Sequence, residues 1–193
     1  QKYVWLFFLG IFCYVSTEQG TSIFMSTFLE QYHGVNPQTD GAQAVSYFWG
    51  LMTAGCLVGM LLLKLIDSKR LLQISGVLTI VLLLSALFGS KGIALIAFPA
   101  VGFSISMMYS IVFSLALNSA SQHHGSFAGI LCSAIVGGAG GPMIVSTIAD
   151  ATSLRTGMLF ILVFVGYITF IGFWARPLIN NKTVKLKKLF KKA

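Results

Sequence analysis

An all-α integral membrane protein, with six transmembrane helices arranged as two inverted three-helix repeats, is the fold class this sequence predicts. Three observations predict it. The 193 residues are 56% hydrophobic and only 9% charged, with a mean hydropathy of +0.85, whereas a water-soluble domain carries about 25% charge to wet its surface. Six apolar runs approach the ~20 residues that cross a ~30 Å hydrocarbon core. Serine-rich stretches in the first and fourth runs match, and an odd number of spans between them sets them in opposite membrane senses, the pattern of an inverted repeat. Disorder is excluded by the same composition, since the chain is apolar rather than rich in charge.

The runs are residues 3–29, 44–66, 71–88, 93–117, 126–149 and 156–175. The links between them are short and polar. The first carries Gly34, Asn36-Pro37 and Asp40-Gly41, all turn chemistry. Asp67-Ser68-Lys69-Arg70 forms the second and Gly89-Ser90-Lys91-Gly92 the third. Residues 118–125 hold His123 and His124, and residues 150–155 end on Arg155. None is long enough for a soluble domain. The reading is one membrane domain, residues 1–175, followed by a basic tail, residues 176–193. A chain that opens on Gln1 reads as a piece of a longer protein.

Charge placement sets orientation. Of the 13 Lys and Arg residues, a cytoplasmic amino terminus puts eleven on its own side, among them seven in residues 176–193, and leaves Lys91 and Arg155 opposite. That asymmetry predicts both termini in the cytoplasm. The net charge of +8 therefore suits anionic lipid headgroups rather than nucleic acid. In the tail, Leu186, Leu189 and Phe190 stand at helical spacing amid lysines, fitting either a surface-lying segment or a solvated one.

The first run holds the one acidic residue deep in an apolar stretch, Glu18. Tyr14, Glu18, Ser22 and Ser26 recur at i+4, one polar stripe, with Gln19 beside it. A carboxyl at mid-bilayer faces a hydrated cavity or a partner, because burial in lipid costs a few kcal/mol. The fourth run repeats the theme with Ser106, Ser110 and Ser114, and Tyr109 alongside. Matching Ser16 to Leu29 with Ser104 to Leu117, an offset of 88, makes Glu18 and Ser106 equivalent. The expected solute contacts are Tyr14, Glu18, Gln19, Ser22, Ser106, Tyr109 and Ser110; a stripe that merely glues helices together is the alternative.

Small residues mark the second and fifth runs. Gly55 and Gly59 make a GxxxG face, and Gly137, Gly138, Gly140 and Gly141 a denser one before Pro142. They predict close helix packing, with a hinge at the glycine–proline run as the second reading. Trp5, Tyr167 and Trp174 read as interfacial or lipid-facing aromatics, and Trp49 as belt or cavity ceiling. The three isolated cysteines, Cys13, Cys56 and Cys132, show no metal or disulfide spacing. No HExxH, Walker or GxSxG pattern occurs, and no base stands near the serines, so neither an enzyme nor a metal or other cofactor is expected.

Several segments resemble a known family. Met108-Tyr-Ser-Ile-Val-Phe-Ser-Leu-Ala-Leu117, Gly125-Ser126, Ala134-Ile-Val-Gly-Gly-Ala139, Pro142 and Ile148-Ala-Asp-Ala151 are similar to the tenth and eleventh helices of the fucose–proton symporter branch of the major facilitator superfamily. Glu18, Ser22 and Phe28-Leu29 resemble its seventh helix; Gly55, Gly59, Lys69 and Leu71-Leu72 resemble its eighth-to-ninth connection. The resemblance covers most of residues 10–151. Cys56 stands where the family often has Arg, Ser106 and Tyr109 where it often has Asn and Pro, and Pro142 alone where prolines are paired. The resemblance implies the carboxyl-terminal six-helix half of a twelve-helix transporter, in a plasma or bacterial inner membrane. Its partners would be an amino-terminal half and a monosaccharide, its transport coupled to protons or sodium. It also implies that the proton-carrying carboxylates lie in the other half. A non-transporting scaffold or partner-binding subunit is the rival reading.

Overall fold

The computed structural model describes residues 2–119 and 124–176, and every regular element in them is helical. The first helix, α1 (Lys2–His33), is stopped by Gly34 at φ +61, where the Gly34 and Val35 amides close back onto the Glu30 and Leu29 carbonyls. A single turn, Pro37–Gly41, is capped by the Asn36 side chain accepting from the Gln38 amide at 2.9 Å. It leads into α2 (Ala42–Leu65). Asp67 accepts from the Lys69 amide and so caps α3 (Ser68–Phe88). The next three rods are each broken once. They are α4 (Lys91–Ile105) with α5 (Met108–Asn118), α6 (His124–Ser133) with α7 (Gly137–Ala151), and α8 (Leu154–Leu159) with α9 (Ile161–Trp174).

Each rod begins or ends a few residues beyond its apolar run, because capped polar ends extend past the hydrophobic stretch. Among the described residues, five rods are apolar and long enough to cross a membrane. α1 has the length, 32 residues, but Ser16-Thr17-Glu18-Gln19-Gly20-Thr21-Ser22 makes its middle polar. The expected amphipathic stretch in residues 184–192, and His123, lie outside the described residues.

The contacts define two rows. In front stand α2, α4–α5, α1 and α6–α7, each packed on the next; behind them α3 and α9 pack on each other, α3 also on α4 and α9 also on α1. This pattern is symmetric under exchange of the two triplets, since α2-on-α4 maps onto α7-on-α1 and α3-on-α4 onto α9-on-α1. Gly55 and Gly59 approach Phe103 and Met107, while Gly137 and Gly141 approach Phe12 and Ser16. Phe103 stands to Phe12, and Met107 to Ser16, at one offset of 91. The serine match predicted 88. The glycine contacts give 91, which sets Glu18 opposite Tyr109 rather than Ser106. At the α3–α9 crossing, Gly76 meets Thr169 and Gly172 meets Gln73, two reciprocal contacts at a common offset of 96. Such reciprocity is what a pseudo-twofold axis requires.

Polar side chains hold the rows together. Ser16 Oγ donates to the Gly137 carbonyl at 3.0 Å, Gln73 Nε2 to the Gly172 carbonyl at 3.0 Å, and Thr79 and Ser104 share a 2.7 Å hydrogen bond between α3 and α4. Two aromatics depart from expectation. Tyr167 donates to the Leu6 carbonyl at 3.0 Å, and Trp174 lies 5.1 Å from the Phe7 ring. Both tie α9 to α1 rather than pointing only into lipid. At the end of the bundle away from the described termini, the Arg155 guanidinium sits 4.5 Å from the Tyr32 ring and 5.6 Å from Phe88, clasping α8 to α1 and α3.

Candidate functional site: a polar wall on the four-rod face

The two outer faces differ in chemistry. Behind, the exposed residues along α3 are Ile74, Val77, Leu78, Val81, Leu84 and Phe88, with Arg70 at the end, and those of α9 are Val163, Phe170 and Phe173. In front, Thr53 and Cys56 on α2, Ser110 and Ser114 on α5, and Cys132, Ser133 and Thr147 on α6–α7 are exposed. Hydrocarbon suits the rear face. The rods in front also expose Leu57, Met60, Leu61, Val136 and Met143, so it is their polar positions that hydrocarbon does not suit.

Glu18 stands in the middle of this wall. α1 is flanked by α5 and α7 and backed by α9, so its half-buried carboxyl opens forward. Gln19 Nε2 donates to Glu18 Oε1 at 3.3 Å. Tyr14 stands one helical turn before Glu18 on the same side of α1. The Tyr14 ring lies 5.6 Å from that of Tyr109, which stacks on Phe113 at 5.8 Å. Tyr109 is in the neighbourhood of Cys132 on α6, and the Cys56 thiol on α2 donates to the Ser106 carbonyl at 3.4 Å. Across the seam, Gly138 packs on α1, where a Cβ would lie 3.2 Å from Val15 Cγ1 and 3.5 Å from Gln19 Cγ.

Four of the seven expected contacts, Tyr14, Glu18, Gln19 and Tyr109, thus form one group. Ser110 is exposed on the same face, apart from that group. Tyr14 is 3% exposed, its ring closed against Tyr109, and Ser22 and Ser106 are buried as well. Ser22 Oγ donates to the Gln19 carbonyl at 3.3 Å, and Ser106 Oγ to Phe103 at 2.8 Å against Gly55. Both hydroxyls bond their own helix, which withdraws them from the wall. Cys56 and Cys132 were missed as wall residues. A cysteine in an apolar run gives no local signal, and only packing across rods brings each onto this face. Among the described residues no group of three His, Cys, Asp or Glu side chains gathers as a metal site would require.

The glycines divide likewise. Gly55, Gly59, Gly137 and Gly141 are buried contacts, whereas Gly140 faces only the Phe12 ring edge. Pro142 lies inside continuous α7, and the irregular turn falls earlier, at Ala134–Val136.

Comparison with known proteins agrees with this architecture. No family model matches the sequence. A glucose/galactose transporter of Brucella abortus is 35% identical over 166 residues, 85% of this chain and 40% of that protein. A putative glucose/galactose transporter of Helicobacter pylori is 31% identical over 153 residues, 79% of this chain and 37% of that protein. The crystal structure of a variant of the Escherichia coli fucose:proton symporter superposes with a TM-score of 0.84 at 18% identity, over 90% of this chain and 43% of that one. A second symporter structure, in the outward conformation, gives 0.80 at 17% identity. The fold is one six-helix half of a major facilitator transporter. In sequence the chain is similar to the glucose/galactose transporters, and in fold to one half of the fucose:proton symporter. It spans about two fifths of the length of the relatives it matches.

Proposed function

We propose that this chain is the carboxyl-terminal half of a secondary active transporter that moves a monosaccharide by alternating access, coupled to protons or sodium. The observation that carries the proposal is the Tyr14–Glu18–Gln19–Tyr109 group on an otherwise open face. It joins a carboxylate, an amide and two phenols with aromatic surface, and sugar hydroxyls both donate and accept hydrogen bonds. The relatives named for glucose and galactose supply the solute class. A second six-helix half would close over this face, and rocking of the halves would expose the site alternately. Both termini would then lie in the cytoplasm, where the basic residues are concentrated.

Uptake of labelled galactose by the full-length protein in proteoliposomes tests this. Glu18→Gln is expected to lower uptake about tenfold or more, the scale of losing a hydrogen bond to a charged group, with folding unchanged. Wild-type uptake no faster than that of empty vesicles would contradict the transport reading and favour a scaffold.

A further inference from the structure

A second recognition site stands apart from the Glu18 group, toward the end of the bundle away from the described termini. There α1, the end of α7 and the start of α8 enclose a groove of about 430 Å³, lined by Phe24, Thr27 and Gln31 from α1 and Ser146, Asp150 and Thr152 from the α7 side. That volume lies within the ~300–1,000 Å³ of small-molecule sites. We propose that this groove is an outer subsite for a hexose, occupied before the solute reaches Glu18. The inference rests on the monosaccharide reading above.

The chemistry of the lining carries it. The Asp150 carboxylate, the Gln31 amide and the Thr27 hydroxyl make no hydrogen bond or ion pair among the described residues, so their capacity is free. Ser146 donates to the Met143 carbonyl at 3.1 Å and Thr152 to Ile148 at 2.7 Å. Those donations leave hydroxyl lone pairs as acceptors. A ring of donors, such as the hydroxyls of a pyranose, matches an acceptor-rich wall, and the Phe24 ring offers an apolar platform for its C–H face. Arg155, next to Leu154 of the lining, does not neutralise Asp150, because its guanidinium is held over Tyr32, Phe28 and Phe88. A groove of about 280 Å³ lined by Asp40, Gln43, Ala44, Tyr47 and Leu95 has a similar mixture but is smaller, and its Gln43 amide already donates to the Tyr47 hydroxyl at 2.8 Å. A second, of about 490 Å³, is walled by Val4, Trp5, Phe8, Ile130 and Ser133 and is nearly all apolar. Another, of about 500 Å³, is bounded by the α1 end and the turn that follows it.

The test uses the full-length transporter with Cys56→Ser and Cys132→Ser, so that Thr27→Cys supplies a reactive thiol in the groove. A membrane-impermeant methanethiosulfonate reports access, with galactose as protector and choline as the cationic control. Galactose is expected to slow labelling about fivefold, the scale of a few polar contacts, with Glu18 intact and equally with Glu18→Gln. The pair Asp150→Asn with Gln31→Leu removes the protection. Absence of protection, its loss on Glu18→Gln alone, or equal protection by choline overturns the outer site. Protection without galactose uptake strikes the transport reading alone, and uptake without protection strikes the groove alone.

Discussion

Two serines and a tyrosine show how position decides what a polar side chain does. Ser106 and Tyr109 are three residues apart on one rod. Ser106 is buried against Gly55, its hydroxyl bonded to its own helix, while Tyr109 is half-exposed beside Tyr14. In transport assays, Tyr109→Phe is expected to raise KM about five- to tenfold, by loss of one hydrogen bond in a partly desolvated site. Ser106→Ala is expected to leave KM within about twofold and to cost about 0.5–1.5 kcal/mol, since its hydroxyl bonds only the Phe103 carbonyl of its own rod. Equal effects on KM from both would remove the distinction between wall and seam. Ser16 belongs with the seam, though its bond crosses between rods. Ser16→Ala is expected to cost about 0.6–1.7 kcal/mol in a thermal or denaturant titration, the range of interhelical hydrogen bonds in membranes.

At the scale of the helix, backbone approach decides where substitution is tolerated. A Cβ on Gly137 would lie 2.9 Å from Phe12 Cα and 3.0 Å from its carbonyl carbon, and backbone cannot step aside as a side-chain tip can. Gly129, on the same rod, has nothing within 4 Å. Gly137→Ala is expected to destabilise by about 1–3 kcal/mol, as overpacking does. Gly129→Ala should be neutral or slightly stabilising, since alanine is the better helix former. Thermal unfolding in detergent separates the two, and equal melting temperatures would contradict the seam. The same contacts show what the sequence could and could not disclose. Hydropathy suits five of the rods, because lipid selects for apolar length, whereas α1 carries a polar middle. The breaks were not legible. Pro99 and Pro142 stand inside continuous helices, while the interruptions fall at Phe160 and, in the two front rods, at Ser106–Met107 and Ala134–Val136, none of which contains proline. Both front-rod breaks lie where a first rod meets a glycine-faced second rod, so crossing geometry rather than local propensity locates them. The repeat register failed for the same reason, since serine identity across 14 positions is weaker evidence than two glycine contacts at one offset.

Across the whole half, the division between faces organises function. α3 and α9 present aliphatic and aromatic side chains outward, whereas the four-rod face combines Glu18, Gln19, Tyr109, the two exposed cysteines and several hydroxyls. Glu18 was legible as the one acidic residue deep in an apolar run. Tyr14, Gln19 and Tyr109 were legible with it from their spacing, whereas Cys56 and Cys132 came only from packing between rods distant in sequence. The central claim is that this carboxyl is wetted by a passage between halves. The most direct measurement places Glu18→Cys in full-length protein with Cys56→Ser and Cys132→Ser, reconstituted in liposomes, and follows its reaction with a membrane-impermeant thiol reagent beside Val81→Cys on the rear face. The account predicts rapid labelling at position 18, slowed by galactose, and none at position 81. Position 18 remaining unreactive from both sides of the membrane, or reacting no faster than position 81, would contradict it.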